Sequence, residues 1–304
     1  MSDGLLLRAL DGSNPLAFLA AIGTLRLVHL TEPNAGVQMR WERSGGLWRP
    51  RLGGLGADEG RLVEMLRKAP WAPVERFEQI GKNITVPAEK FRTFVKEAHA
   101  VATRQDRRAA DFAAAFSSEV CEDTKKGRIE YTDFCFITGS GHQDFLGTID
   151  ALAKCVATRH VRDALFGNWR AEKGLSMRWD PSDAAEYALR WDDPGPKGAW
   201  AVWGANQLAA EALPYLPTMP GKRGLETTGF DRRNRQDEFT WPIWNSLVSS
   251  ETVRSLMSLG ELQQDKPRRD VLRAMGIEEA YRAQRVRIGQ GANFKVSFRP
   301  ARPV

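Results

Sequence analysis

From Leu16 to Leu30 the chain is apolar except at Thr24, Arg26 and His29. Leu16, Leu19, Ala20, Gly23, Leu27 and Leu30 make one helical stripe, and Phe18, Ile22 and Leu25 make a second. Apolar residues on two faces predict a helix inside a core rather than on its surface. Ser13 or Asn14 can cap its first amides, Pro15 suits the first helical position, and Pro33 lies just past the end. Gly23 lowers helix stability, so its presence points to a close approach by another backbone. The run falls short of the roughly 18 to 20 uninterrupted residues of a membrane span. It also lacks the basic leader and small-residue cleavage site of a secretion signal.

Further along, 37–54 alternates and turns like a β-hairpin around Ser44-Gly45-Gly46, and 60–69 reads as a short helix. From Pro87 a longer helix places Phe91, Phe94, Val95, Ala98, Val101 and Ala102 on one face; it continues, or restarts after 104–108, through Phe112 and Phe116. Residues 128–139 read as a strand. Residues 140–158 read as a glycine turn, with Gln143 or Asp144 near the cap, leading into a helix with Phe145, Leu146, Ile149, Leu152, Ala153 and Val156 inside. A helix over 199–213 stops at Pro214, and a proline- and glycine-rich loop covers 214–238. An extended segment, 239–244, precedes a helix capped by Ser249 or Ser250. At the C-terminus, Val286, Ile288, Phe294, Val296 and Phe298 form a hairpin around Gly289-Gln290-Gly291. Arg285, Arg287, Lys295 and Arg299 are then expected to share its opposite, basic face. Helices with scattered antiparallel hairpins, and no regular βαβ spacing, predict an α+β fold with a buried N-terminal helix. It is divided into 1–116 and 117–304, or forms one domain.

Composition adds bounds to this picture. At 304 residues, 42% of them hydrophobic and ten of them tryptophan, the chain can bury a sizeable core. Three cysteines, Cys121, Cys135 and Cys155, without C-x-x-C spacing indicate neither a disulfide framework nor a zinc ribbon, which predicts free thiols and a cytoplasmic protein. The four histidines form no H-x-x-x-H pair, so zinc chemistry is not indicated. The formal net charge is +6, and residues 221–304 hold 16 Lys and Arg against 10 Asp and Glu, leaving 28 of each before them. All of the surplus therefore resides in the last quarter of the chain, where it suits either a polyanion or a solvated basic face.

Three stretches carry candidate chemistry. Ser140, Gly141, His142 and Gln143 lie in a glycine turn entering a helix, which is read as structural or as a polynucleotide-backbone contact; it has neither Walker A nor G-x-S-x-G spacing. Glu122, Asp123 and Lys125 are the residue types of a metal-dependent nuclease, or a solvated loop. Lys222, Arg223, Arg232, Arg233 and Arg235 interleave with Phe230, Trp241 and Trp244. The cations suit phosphates, and the aromatics either stack on unpaired bases or belong to the core.

"LDGSNPLAFLAAIGTLRLV" resembles the opening of proteins encoded in type I CRISPR loci, especially type I-G, formerly I-U. "SGHQDFLGTI", "LETTGFDRR", "FTWPIWNSLVSSETVRSLMSL" and "RVRIGQGANFKVSF" are similar to further blocks of such proteins, in order across nearly the whole chain. The resemblance implies either the large subunit of a Cascade-type complex or the small extension family that accompanies the type I-G helicase-nuclease. Large subunits of that class read a short DNA motif, help open the duplex and recruit the helicase-nuclease, and are generally not enzymes. This chain is much shorter than the usual type I-G large subunit, and no motif-reading residue carries over.

The expectation is thus a non-enzymatic subunit without a cofactor or membrane contact. It would bind target DNA or guide RNA and other effector subunits, the helicase-nuclease among them. Lys222, Arg223, Arg232, Arg233, Arg235, Arg285, Arg287 and Lys295 are expected to hold phosphates, and Ser140 to Gln143 to approach one. The rivals are a protein–protein adaptor and a divergent nuclease using Glu122 and Asp123.

Overall fold

The computed structural model describes residues 4–56, 58–104, 106–136, 144–182, 200–222, 224–233, 236–290 and 293–304. Helices alternate with short antiparallel strands, an α+β architecture. The helices are α1 (Pro15–Thr31), α2 (Glu59–Arg67), α3 (Val74–Phe77), α4 (Ala88–Ala100), α5 (Arg108–Phe116), α6 (Phe145–Cys155), α7 (Thr158–Phe166), α8 (Trp203–Ala210), α9 (Ser250–Met257) and α10 (Arg269–Ala274). One four-stranded antiparallel sheet joins β1 (Leu5–Leu6), β2 (Gln38–Ser44) and β3 (Leu47–Gly53) to a later short strand, Val248–Ser249. Small two-stranded ladders follow: β4 (Glu122–Asp123) with β5 (Arg128–Ile129), β6 (Glu172–Lys173) with β7 (Trp200–Ala201), and β8 (Thr218–Gly221) with β9 (Gly224–Thr227). The second large sheet runs β10 (Phe230–Arg233), β11 (Gln236–Trp244), then, past β12 (Val248–Ser249) in the chain, β13 (Ile277–Gln290) and β14 (Asn293–Phe298), with β15 (Arg302–Pro303) also on β13.

Helix α1 is the axis of this arrangement. Every residue from Pro15 to Val28 is buried, as its two apolar stripes require. The Asn14 side chain accepts hydrogen bonds from the amides of Leu16 and Ala17, and Pro15 occupies the first turn, so the start is capped as the sequence predicts. Phe18 meets Trp41 and Trp241, each at 5.8 Å between ring centroids, and Trp244 at 6.3 Å, which docks α1 on both large sheets. Trp241 Nε1 donates to Gly12 O and Trp244 Nε1 to Met39 O, each at 2.8 Å, so their polar edges are satisfied inside the core. On another face Gly23 lies against α8: a Cβ there would fall 1.8 Å from Leu208 O. The close approach predicted for Gly23 is therefore a helix–helix crossing.

The β2–β3 hairpin turns at Gly45 and Gly46, with φ of +59° and +81°. Two consecutive positive φ values make the two-residue turn whose twist matches its strands. Helix α4 ends at Ala100 and α5 restarts at Arg108. The buried cluster runs from Leu7 to Phe298 and continues across residue 116, where Phe116 packs on Phe145 at 6.1 Å.

Three expectations change. Of the strand expected over 128–139, the described residues pair as a strand at Arg128–Ile129, and 137–139 lie outside the described residues. Phe134, Cys135 and Phe136 are all buried, a run that alternation cannot accommodate. The backbone folds inward instead, with the Asp133 amide donating to Thr227 Oγ1 and that of Cys135 to Thr132 O. The loop over 214–238 holds the β8–β9 hairpin and the β10 strand, its glycines serving as turns of paired strands. The helix over 199–213 narrows to α8, because Trp200–Ala201 pairs with β6. At α6 Asp144 occupies the N-cap position, as expected; the first amide, Phe145 N, is satisfied by Asn83 Oδ1 at 2.8 Å, and Asp144 accepts from Asn83 Nδ2.

Candidate nucleic-acid interface

In the C-terminal hairpin Arg285 stands opposite Phe298, Arg287 opposite Val296, and Lys295 opposite Ile288. Directly opposed residues share a face, so Arg285 and Arg287 stand with Phe298 and Val296, while Lys295 stands with Ile288. The shared basic face expected from the sequence is not formed. A turn at 289–291 would pair Arg285 with Lys295, but Gln290 pairs with Asn293, which changes the register by an odd number of residues.

Arg285 is an internal tie, 19% exposed. Its Nη1 lies 3.4 Å from Asp133 Oδ1 and 3.6 Å from Asp237 Oδ2, and its guanidinium covers the Phe136 ring at 5.2 Å. Behind it, burial pushes the Cys135 thiol up to about 12, so that sulfur stays protonated and inert. Arg287 lies over its own hairpin's Phe294 at 3.6 Å. Lys222 is exposed at the β8–β9 turn, on a cleft of about 450 Å³ that also presents Asp133, Glu226, Asp231 and Asp237. Those carboxylates oppose a phosphate in the cleft itself. The backbone of Arg232 and Arg233 pairs with Asp237 and Gln236. Arg223, Arg235 and Ser140 to Gln143 lie outside the described residues.

The interleaved aromatics belong to the core. Trp241 and Trp244 are buried, and Phe230 stacks on Phe239 at 5.4 Å. Glu122 accepts from Arg92 at 2.8 Å and Asp123 pairs with Lys126 at 2.9 Å. As neighbours on β4 the two carboxylates face opposite sides of the strand. Among the described residues no group of three or more His, Cys, Asp or Glu side chains is placed to hold a metal ion.

A different basic segment emerges at 260–273. The buried guanidinium of Arg282 donates to Thr240 Oγ1 at 2.9 Å and to the carbonyls of Leu262, Gln264 and Asp265 at 3.0, 2.8 and 3.3 Å. Arg268 closes the segment on Glu261, its amide at 2.7 Å and Nη2 at 3.0 Å, and these bonds hold the Glu261 carboxyl below its usual range. Thus pinned, the segment exposes Lys266, Arg269 and Arg273, and no ion pair among the described residues engages them. Arg269 and Arg273 are four apart on α10 and so share a helix face. Lys266 stands at the rim of an open cleft of about 1060 Å³ with Glu226, Asp231, Glu261 and Asp265 in its walls, which Arg269 and Arg273 do not line. The run "DKPRRDVLR" was visible in the sequence as part of the C-terminal surplus, but without aromatic neighbours it carried no distinguishing signal. Compared with known proteins, the chain matches no family model and no curated sequence.

Proposed function

We propose that this chain is a non-enzymatic, nucleic-acid-contacting subunit or accessory of a type I-G-like CRISPR effector, acting in antiviral defence beside the helicase-nuclease. The five sequence blocks in order along the chain support the locus type. The nucleic-acid contact is supported above all by one observation: a loop and helix anchored by buried Arg282 hold Lys266, Arg269 and Arg273 exposed, with no ion pair engaging them among the described residues. In such a complex base pairing supplies sequence specificity, and a protein subunit supplies positive surface along the backbone. Lys222, Arg223, Arg232, Arg233 and Arg235 stay in the proposed phosphate-binding set on their charge alone. Arg285 is not part of it, since its carboxylate partners neutralise it.

Binding of a short B-DNA duplex across a salt series tests this reading. The variant Lys266→Ala/Arg269→Ala/Arg273→Ala is expected to bind more weakly and to lose about 0.9 from the slope of log affinity against log salt for each phosphate it no longer neutralises. An unchanged affinity and slope would remove this surface from the assignment.

A further inference from the structure

We infer that the cleft between the β4–β5 hairpin and β9 is a binding site for a nucleoside monophosphate, free or at the end of a strand, with Arg128 and Tyr131 as its principal contacts. The cleft encloses about 540 Å³, inside the range of about 300–1,000 Å³ that small-molecule sites occupy. Its walls come from three segments: the hairpin with the residues just after it, Thr85 ahead of α4, and Leu225 of β9. Each wall is fixed. The Ile129 amide donates to Val86 O at 3.1 Å and the Ala88 amide to Gly127 O at 3.3 Å, which lays the hairpin along the segment that carries Thr85. Glu130 accepts from the Leu225 amide and so holds β9 across the gap. The site shares no residue with the surface of Lys266, Arg269 and Arg273, so its failure would leave that surface to its own test.

The polar groups of the cleft divide into two sets. Asp123 pairs with Lys126 at 2.9 Å and accepts from the Lys125 amide, and Glu130 is taken up by Leu225, so both carboxylates are engaged. By contrast, no hydrogen bond or ion pair among the described residues engages the Thr85 hydroxyl, the Arg128 guanidinium or the Tyr131 hydroxyl. Arg128 stands opposite Asp123 in the ladder, and so beside the ion pair with Lys126. The Lys126 ammonium, held chiefly by Asp123, also feels the Tyr131 phenol and the Arg128 guanidinium, which places the three side chains near one another. Burial raises the Tyr131 phenol above its ordinary value, against the pull of Arg285 and Lys126, so its hydroxyl stays protonated and donates. These donors select the ligand. A guanidinium presents a planar fork of N–H groups that matches a phosphate. Among the described residues lining the cleft, Arg128 is the cation without an acidic partner, and that balance suits one phosphate group rather than a run of them. Buried Ile129, half-buried Leu225 and the Tyr131 ring give the rest of the ligand an apolar and aromatic wall, against which a base can stack.

Calorimetric titration of the full chain with adenosine 5′-monophosphate, with adenosine, and with a short single strand carrying or lacking a 5′-phosphate tests this. The monophosphate is expected to bind saturably, and adenosine at least about ten-fold more weakly, because it cannot use the charge-assisted bonds of Arg128. Arg128→Ala should weaken the monophosphate by about ten-fold or more, and Tyr131→Phe, which keeps the ring, by roughly two- to ten-fold. Arg128 is exposed and bonded to nothing, so its variant should melt with wild type and the loss reports the contact. Lys266→Ala/Arg269→Ala/Arg273→Ala should bind the monophosphate as wild type does. A strand that displaces the monophosphate only when 5′-phosphorylated would make a strand end the ligand; a strand that displaces nothing would make it the free nucleotide. If wild type binds neither the monophosphate nor the phosphorylated strand, if adenosine binds as tightly as its monophosphate, or if Arg128→Ala binds as wild type does, the inference is overturned.

Discussion

Gly23→Ala is expected to cost the fold roughly 3 kcal/mol or more, even though alanine is the better helix former by about 1 kcal/mol. The added Cβ would sit 1.8 Å from Leu208 O, 2.9 Å from Leu208 C and 3.2 Å from the Ala212 amide. All three are backbone atoms, so no side chain can rotate away and α1 must separate from α8. That separation would also loosen Phe18 among Trp41, Trp241 and Trp244 on the far side of the helix. Against the roughly 5–15 kcal/mol that typically holds a domain together, such a loss is large. Thermal unfolding should show a melting temperature lower by on the order of 6 °C or more, or no cooperative transition. A neutral or stabilised variant would mean that the two helices do not touch at Gly23.

The second large effect lies at the end of the same crossing. Arg26 Nη1 donates to Glu211 Oε2 at 2.7 Å, with side chains 5% and 2% exposed, and Glu211 Oε1 accepts from the Ala72 amide. Removing one partner of a buried pair strands the other charge, which costs about 3–5 kcal/mol, whereas replacing both by apolar residues of similar volume is often close to neutral. Arg26→Met alone should therefore destabilise strongly, and Arg26→Met/Glu211→Leu should recover much of the loss. The pH dependence has a definite sign. Burial already raises the Glu211 carboxyl above its ordinary value, with Arg26 as the largest opposing influence. A carboxyl raised in the folded state favours folding below its unfolded pKa, and that advantage is lost as pH rises through the folded pKa. Without Arg26 the pKa climbs further, so the deficit of Arg26→Met in urea unfolding should be larger at about pH 8 than at about pH 5. An equal deficit at both would show that the stranded carboxylate is not the cause.

Helix α1 was legible because everything that specifies it is local: two apolar stripes, Asn14, Pro15, and a glycine whose cost needed a reason. The β2–β3 hairpin was legible for the same reason, through Gly45 and Gly46. What the sequence hid is non-local. Phe134 to Phe136 look like a strand until the core they enter is known, and the facing of Arg285 depends on the pairing register of its hairpin. Arg26 and Arg282 count as surface charges in any composition, yet the partner of Arg26 is 185 positions away and Arg282 binds carbonyls 17 to 20 positions back. Trp200 read as part of a helix because its pairing partner, Lys173, is far upstream. The candidate site shifted accordingly, from interleaved aromatics that fill the core to cations at 266–273 that buried Arg282 holds in place.

Affinity-tagging the protein in a host with its neighbouring genes, and extracting the RNA and proteins that co-purify, tests the functional assignment most directly. A subunit of an RNA-guided effector brings down a discrete guide-length RNA with stoichiometric partners. Recovery of the protein with neither would contradict it.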